Sequence, residues 1–165
     1  MNFRIVELEE LSGSKAIIYS VIMQGEDTTL FDQFITDNLA SNSDEISFII
    51  NRLEEIGQTT GARDIFFKHN EGKPGDGVCA LYDEPEKGLR LYCIRYGNVA
   101  IVLGGGGLKG HEISAWQEDV KLTLEAGRII EISKLLTMRI KEKEISWSQD
   151  GRELIGNLIF EDDET

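Results

Sequence analysis

The segment Leu89-Arg90-Leu91-Tyr92-Cys93-Ile94-Arg95-Tyr96-Gly97-Asn98-Val99-Ala100-Ile101-Val102-Leu103 decides the fold. Two runs rich in apolar and aromatic residues flank Gly97-Asn98, a signal for a tight two-residue hairpin. Side chains alternate across a strand, so Leu89, Leu91 and Cys93 share one face and Arg90, Tyr92, Ile94 and Tyr96 the other. The first set suits a core beneath helices. The second puts a guanidinium and two phenols on the opposite face, which is expected to be exposed. The run Gly104-Gly105-Gly106-Gly107 ends this hairpin. A Walker-type phosphate loop needs Gly-Lys-Ser/Thr, but here Lys109 is followed by Gly110. The glycines are better explained by a strand end that bends or closely approaches another backbone.

Upstream, residues 64–68 and 78–82 read as two more strands, joined by the glycine-rich loop 72–77. Residues 63–107 therefore form an antiparallel meander. Residues 29–57 read as a helical hairpin. Leu30, Phe31, Phe34, Ile35 and Leu39 form one helical face, and Ile46, Ile49, Ile50, Leu53 and Ile56 another. Asn42 and Glu45 have the spacing of an N-cap with a reciprocal acid, and Gly57 stands where a C-cap would. Residues 1–28 read as a β-hairpin turning at Ser12-Gly13-Ser14-Lys15.

Downstream, Ser114 and Gln117 are spaced as a capping box for a helix over 114–140. Trp116, Val120, Leu124, Gly127 and Ile130 follow one stripe, and Leu122, Ala126, Ile129, Leu136 and Ile140 lie outside it. A helix apolar on two sides is sandwiched in the fold or offered to a partner, including a second copy of the chain. Gly127 is a possible break. Residues 144–160 read as a terminal hairpin about Asp150-Gly151, followed by an acidic tail. The whole chain is expected to be one α+β domain over 1–165, a helical hairpin packed on an antiparallel meander with a C-terminal helix.

Its 165 residues, 41% hydrophobic and 28% charged, are enough for a core without disulfides or metals. Cys79 and Cys93 sit in strand-like runs without close ligand partners and read as buried free thiols of a reducing compartment. No leader and no bilayer-length apolar run is seen, so a cytoplasmic location is expected, with no membrane contact. No cofactor and no metal is expected. The net charge of −13 disfavours non-specific binding to nucleic acid. That charge is uneven. Residues 1–60 carry 3 basic and 11 acidic side chains, residues 61–111 carry 7 and 6, and residues 112–165 carry 7 and 13. The middle third is thus the part suited to face a phosphate backbone.

The order strand, helical hairpin, meander, helix resembles the RelE/ParE/HigB toxin superfamily over roughly residues 30–135. Leu53-Glu54-Glu55-Ile56-Gly57 resembles the end of that family's second helix. Leu89-Arg90-Leu91-Tyr92 resembles the strand bearing its characteristic arginine. Residues 98–109 resemble the next strand, running into a lysine-bearing loop. The resemblance implies a RelE-like fold and ribosome-dependent, metal-independent cleavage of mRNA by a toxin held silent by a cognate antitoxin. Such cleavage uses the 2′-hydroxyl as nucleophile and needs a base, a cation on the phosphorane and an acid. On this reading Arg90 holds the phosphate and Lys109 is the second cation. Tyr92 stacks or donates a proton, and His111 is the acid/base. Lys68, Arg95 and Tyr96 would contact RNA, with His69 a further candidate near Lys68. The loop has one lysine where ribonuclease-type members carry a Phe and a Lys-Lys pair. That difference, the acidity and the two-sided helix motivate the alternative, a non-catalytic interaction module on the same fold.

Overall fold

In β5 (Leu89–Tyr96) neighbouring side chains belong to two separate cores. Leu89, Leu91 and Cys93 pack below the helical hairpin, as their alternation predicts. Tyr92 and Ile94 on the other face are buried as well, in a second core. The expected exposed face is therefore covered over most of its length. What covers it is α3 (Ala115–Lys141), which contributes Leu122, Ile129, Ile132 and Leu136 to that second core. Strands buried on both faces read as near-continuous apolar runs, and residues 100–103 have that character.

The computed structural model describes residues 1–69, 77–82, 88–109 and 115–162, with side chains 115–119 excepted. It is a mixed α+β architecture of three layers. The central seven-stranded sheet has the order β3-β4-β5-β6-β2-β1-β9. Its strands are β1 (Phe3–Glu7), β2 (Ile17–Met23), β3 (Phe67–Lys68), β4 (Val78–Tyr82), β5, β6 (Ala100–Leu108) and β9 (Ile159–Phe160). One layer is α1 (Leu30–Leu39) with α2 (Ser43–Glu55), whose Phe31, Phe34, Ile46, Ile49 and Leu53 fill the first core. The other layer is α3.

The hairpin β1–β2 and the meander β4–β5–β6 form as expected. The sheet is not purely antiparallel, because β2 lies parallel to β6, with Ile17 opposite Ala100 and Ser20 opposite Leu103. Residues 64–68 are not one strand. Asp64–Phe66 is a 3-10 turn and β3 keeps two residues. The β5–β6 connection is three residues, with Tyr96 opposite Ala100 and Gly97 at φ 58°. The terminal hairpin divides. β7 (Ile145–Trp147) and β8 (Leu154–Gly156) pair with each other, and β9 leaves them to pair with β1.

The helix ends also differ from expectation. The capping box belongs to α1, where Thr29 and Asp32 exchange hydrogen bonds. Asn42 precedes α2 without a side-chain cap bond. Gly57 does not end α2, because a π-helical turn, Ile56–Thr60, carries the chain to Gly61 at φ 76°. Gly57 is required instead for contact, since a Cβ there would strike the Leu11 carbonyl. α3 runs unbroken through Gly127. Its buried stripe is Leu122, Ile129, Ile132 and Leu136, while Val120 and Leu124 are 45% and 64% exposed. The cap proposed at Ser114 lies outside the described residues.

Candidate functional site

The glycine run does not end β6; the strand continues through it to Leu108. A bulge lies here, since Leu91 pairs with Gly106 but Cys93 with Leu103. A bulge re-aims side chains and sharpens the local twist. Gly105 and Gly106 each admit a neighbour that a side chain would displace, Gly104 is tightly packed, and Gly107 is in ordinary contact. A Cβ on Gly104 would lie 3.1 Å from Ile129 Cδ1. One on Gly105 would lie 2.8 Å from Glu125 Cδ and closer to its carboxylate oxygen. One on Gly106 would strike the Arg90 carbonyl, and one on Gly107 would lie 3.5 Å from Lys121 Cε. The helix α3 therefore rests on a bare strip of backbone, with Lys121 and Glu125, one helical turn apart, over Gly107 and Gly105.

Arg90 stands directly opposite Gly107 on β6 and opposite Tyr82 on β4. Its guanidinium carbon is 5.9 Å from the Tyr82 ring centroid, in cation–π range. Its Nη1 lies 3.5 Å from the Leu89 carbonyl, too far for a strong bond. Lys121 reaches Asp37 at 3.3 Å, and both side chains are about half exposed. An ion pair of that kind is worth about 1 kcal/mol or less and yields readily to a phosphate. Glu125 is only 11% exposed and lies 3.6 Å from Arg128. Lys109 follows β6, exposed, with its amide bonded to the Gly88 carbonyl at 2.8 Å. One end of the β4–β5–β6 meander thus holds Tyr82, Arg90, Lys109, Lys121 and Glu125. This arrangement can bind an anion beside a carboxylate and a phenol.

Of the residues expected from sequence, Arg90 and Lys109 come to this end together. His111 lies outside the described residues. Tyr92 is 6% exposed, with its ring in the core under α3, so the phenol beside Arg90 is that of Tyr82. Arg95 and Tyr96 are at the far end of β5, about 17 Å along the strand from Arg90. Arg95 donates to the Ala62 carbonyl at 2.8 Å and to Asn98 Oδ1 at 2.6 Å, and it pairs with Asp64 at 3.4 Å. Tyr96 packs edge-on to Trp147, and burial pushes its phenol well above the usual range. Lys68 is exposed on β3 opposite Ala80. His69 Nε2 sits 3.0 Å from Asp64 Oδ1, on the Arg95 side of the sheet.

Tyr82, Lys121 and Glu125 were missed by sequence reasoning. The i, i+4 spacing of Lys121 and Glu125 was visible, but their pairing with glycines two apart on a strand needs the helix placed on the sheet. Among the described residues no group of three His, Cys, Asp or Glu side chains could hold a metal, and no helix is long and apolar enough to cross a membrane. No family model, no curated protein and no solved structure matches the chain.

Proposed function

We propose that this protein is the toxin component of a toxin–antitoxin-like pair and cleaves RNA without a metal. The observation that carries this reading is the position of Arg90, between Tyr82 on β4 and Gly107 on β6, with Lys121 and Glu125 of α3 over Gly107 and Gly105. The element order supports the RelE-like kinship, since a strand, a helical hairpin, an antiparallel meander and a helix follow one another. In the proposed reaction a ribose 2′-hydroxyl attacks the adjacent phosphorus, giving a 2′,3′-cyclic phosphate and a free 5′-hydroxyl. Glu125 takes the 2′-hydroxyl proton. Arg90 and Lys121, aided by Lys109, stabilise the phosphorane. Tyr82 gives a proton to the leaving 5′-oxygen. Local cation density at this end offsets the chain's acidity, so binding would be site-specific and weakened by salt.

A second reading rests on Val120 and Leu124, exposed on the outer side of α3 and flanked by Lys121 and Arg128. On it the chain is a non-catalytic module that binds a partner along this helix. Induced expression in a bacterial host, with cleavage of ribosome-bound mRNA read on gels, separates the two. The first reading expects growth arrest and cleavage by the native chain, each reduced about 100-fold or more by Arg90→Ala or Lys121→Ala. Folded native protein that neither arrests growth nor cuts RNA overturns it and leaves the binding module.

A further inference from the structure

Cys79 on β4 and Cys93 on β5 stand directly opposite one another in the antiparallel ladder. Both are free and buried, and both side chains enter the core below the helical hairpin. Their Sγ atoms are 3.7 Å apart. The register between them places the two Cα atoms within reach of a covalent link. The Arg95 amide donates to the Gly77 carbonyl at 2.8 Å, which makes 77 and 95 a hydrogen-bonded pair. The two-residue repeat of the ladder makes 79 and 93 another, with Cα atoms about 5.5 Å apart. Disulfides bridge Cα separations of about 4.4–6.8 Å. Closing the bond therefore needs no change of strand register, but the two side chains must rotate and the strands draw together locally, because a hydrogen-bonded pair holds its side chains farther apart than its neighbours do.

We propose that Cys79 and Cys93 are an oxidation site, forming a reversible cross-strand disulfide that staples β4 to β5. The oxidant is a low-molecular-weight disulfide. One cysteine, as thiolate, attacks it and releases the first small thiol, leaving a mixed disulfide on the protein. The second cysteine attacks the protein sulfur of that intermediate and releases the second small thiol. Two electrons pass from the cysteines to the small disulfide, and the two thiol protons end on the two released thiols.

The reaction is gated by opening of the sheet. The hydrogen bond with Cys79, and then burial, hold the Cys93 thiol well above its usual pKa, so thiolate is scarce at neutral pH. Among the described residues β3 pairs with β4 at Leu81 and Ala80, one residue short of Cys79. Fraying of this edge would give an oxidant a route to Cys79. The staple would close at mid-β5, between Arg90 and Arg95. It is independent of the RNA-cleaving reading.

The test incubates the full chain with oxidised glutathione, in buffer and in sub-denaturing urea. Samples are then alkylated under denaturing conditions and weighed intact. The expected product has lost about 2 Da, takes up no alkyl group and carries no glutathione. Sub-denaturing urea should speed its formation about tenfold or more by opening the edge. The closed form should melt roughly 6–12 °C above the reduced form and revert with dithiothreitol. Cys79→Ser should accept one alkyl group and show no oxidative shift in melting. The proposal is overturned if the urea-opened native chain still takes two alkyl groups, stops at a stable glutathione adduct, or closes with a lower melting temperature. The mass readout on the native chain decides even if the variant misfolds.

Discussion

Replacing Gly106 with alanine should be among the most damaging single-methyl changes available to this chain. The new Cβ would lie 2.9 Å from the Arg90 carbonyl carbon, closer to its oxygen, and 3.1 Å from Leu91 Cα. All three atoms are backbone of β5, which is held on both sides by β4 and β6. No rotamer change relieves the contact, so the strands must part at the bulge. Overpacking of about 2–3 kcal/mol and a weakened ladder bond of about 1 kcal/mol give a loss of roughly 3–4 kcal/mol. In a chain of this size each kcal/mol moves Tm by about 2–4 °C, so a fall of roughly 6–16 °C is expected. Two neighbouring changes calibrate it. Gly105→Ala meets the end of the Glu125 side chain, which can swing away, and should cost about 1 kcal/mol or less. Gly127→Ala, in an exposed helical position with nothing within 4 Å, should gain about 0.5–1 kcal/mol. Thermal and urea melts with unchanged m-values measure all three. If Gly106→Ala melts within a degree or so of Gly105→Ala, β6 is not seated on β5 as described and the reasoning fails. Gly105→Ala also tests chemistry, because it evicts the Glu125 carboxylate while sparing the fold, and RNA cleavage should fall without a matching fall in Tm.

Three further outcomes are expected. Tyr96→Phe removes a buried hydroxyl that has no hydrogen-bond partner among the described residues, so it should leave stability unchanged or raise it by up to about 1 kcal/mol in a urea melt. Arg139 stacks 3.8 Å over the Phe160 ring and donates to the Asn157 and Ile159 carbonyls, so Arg139→Ala should cost about 2–3 kcal/mol. Hydrogen exchange should show the β1–β9 pairing opening before the rest of the sheet. Asp150 is held at a pKa of about 2, below the usual 3.8, first by the Ser148 hydroxyl and then by the Arg152 amide and guanidinium. A carboxylate with a depressed folded pKa stabilises above its unfolded pKa and loses that contribution as pH falls through the folded one. The Tm gap between the native chain and Asp150→Asn should therefore be open near neutral pH, narrow below about pH 4 and close near pH 2. A gap that persists at the acid end would contradict the Ser148–Asp150–Arg152 geometry.

The meander and the first hairpin were legible because their strands alternate or end in turn residues. β4 and β5 have the bounds their residues suggested, and α1 and α2 appear where apolar spacing placed them. What sequence could not supply was which faces are covered. Arg90 and Tyr92 alternate identically on β5, yet Tyr92 is buried under α3 and Arg90 is half-buried beside Gly107. Periodicity assigns a face to a residue but not how deeply that face is covered at each position. The two stripes of α3 raised the same ambiguity, and only packing shows Leu122, Ile129, Ile132 and Leu136 as the buried one. The short pairing of β9 with β1 depends on a long-range partner and carries almost no local signal. For the site, the glycines showed that something approaches closely, as their composition suggested. That Lys121 and Glu125 are what approach is a fact of tertiary placement.

The parallel junction of β2 with β6 also bears on how the protein is made. Ser20 meets Leu103 across 83 residues of chain, and β1 meets β9 over a still longer span. Contacts this remote in sequence require large loops to close before they stabilise anything, and folding slows as their share grows. On the ribosome the first hairpin must wait, with the β2 edge that β6 will cover still unpaired, until the meander has emerged. Through that interval Ile17, Tyr19 and Val21 sit on an open edge of the kind that invites pairing between chains. Yield of this protein should therefore respond to growth temperature and chaperone supply more steeply than its final stability alone would suggest.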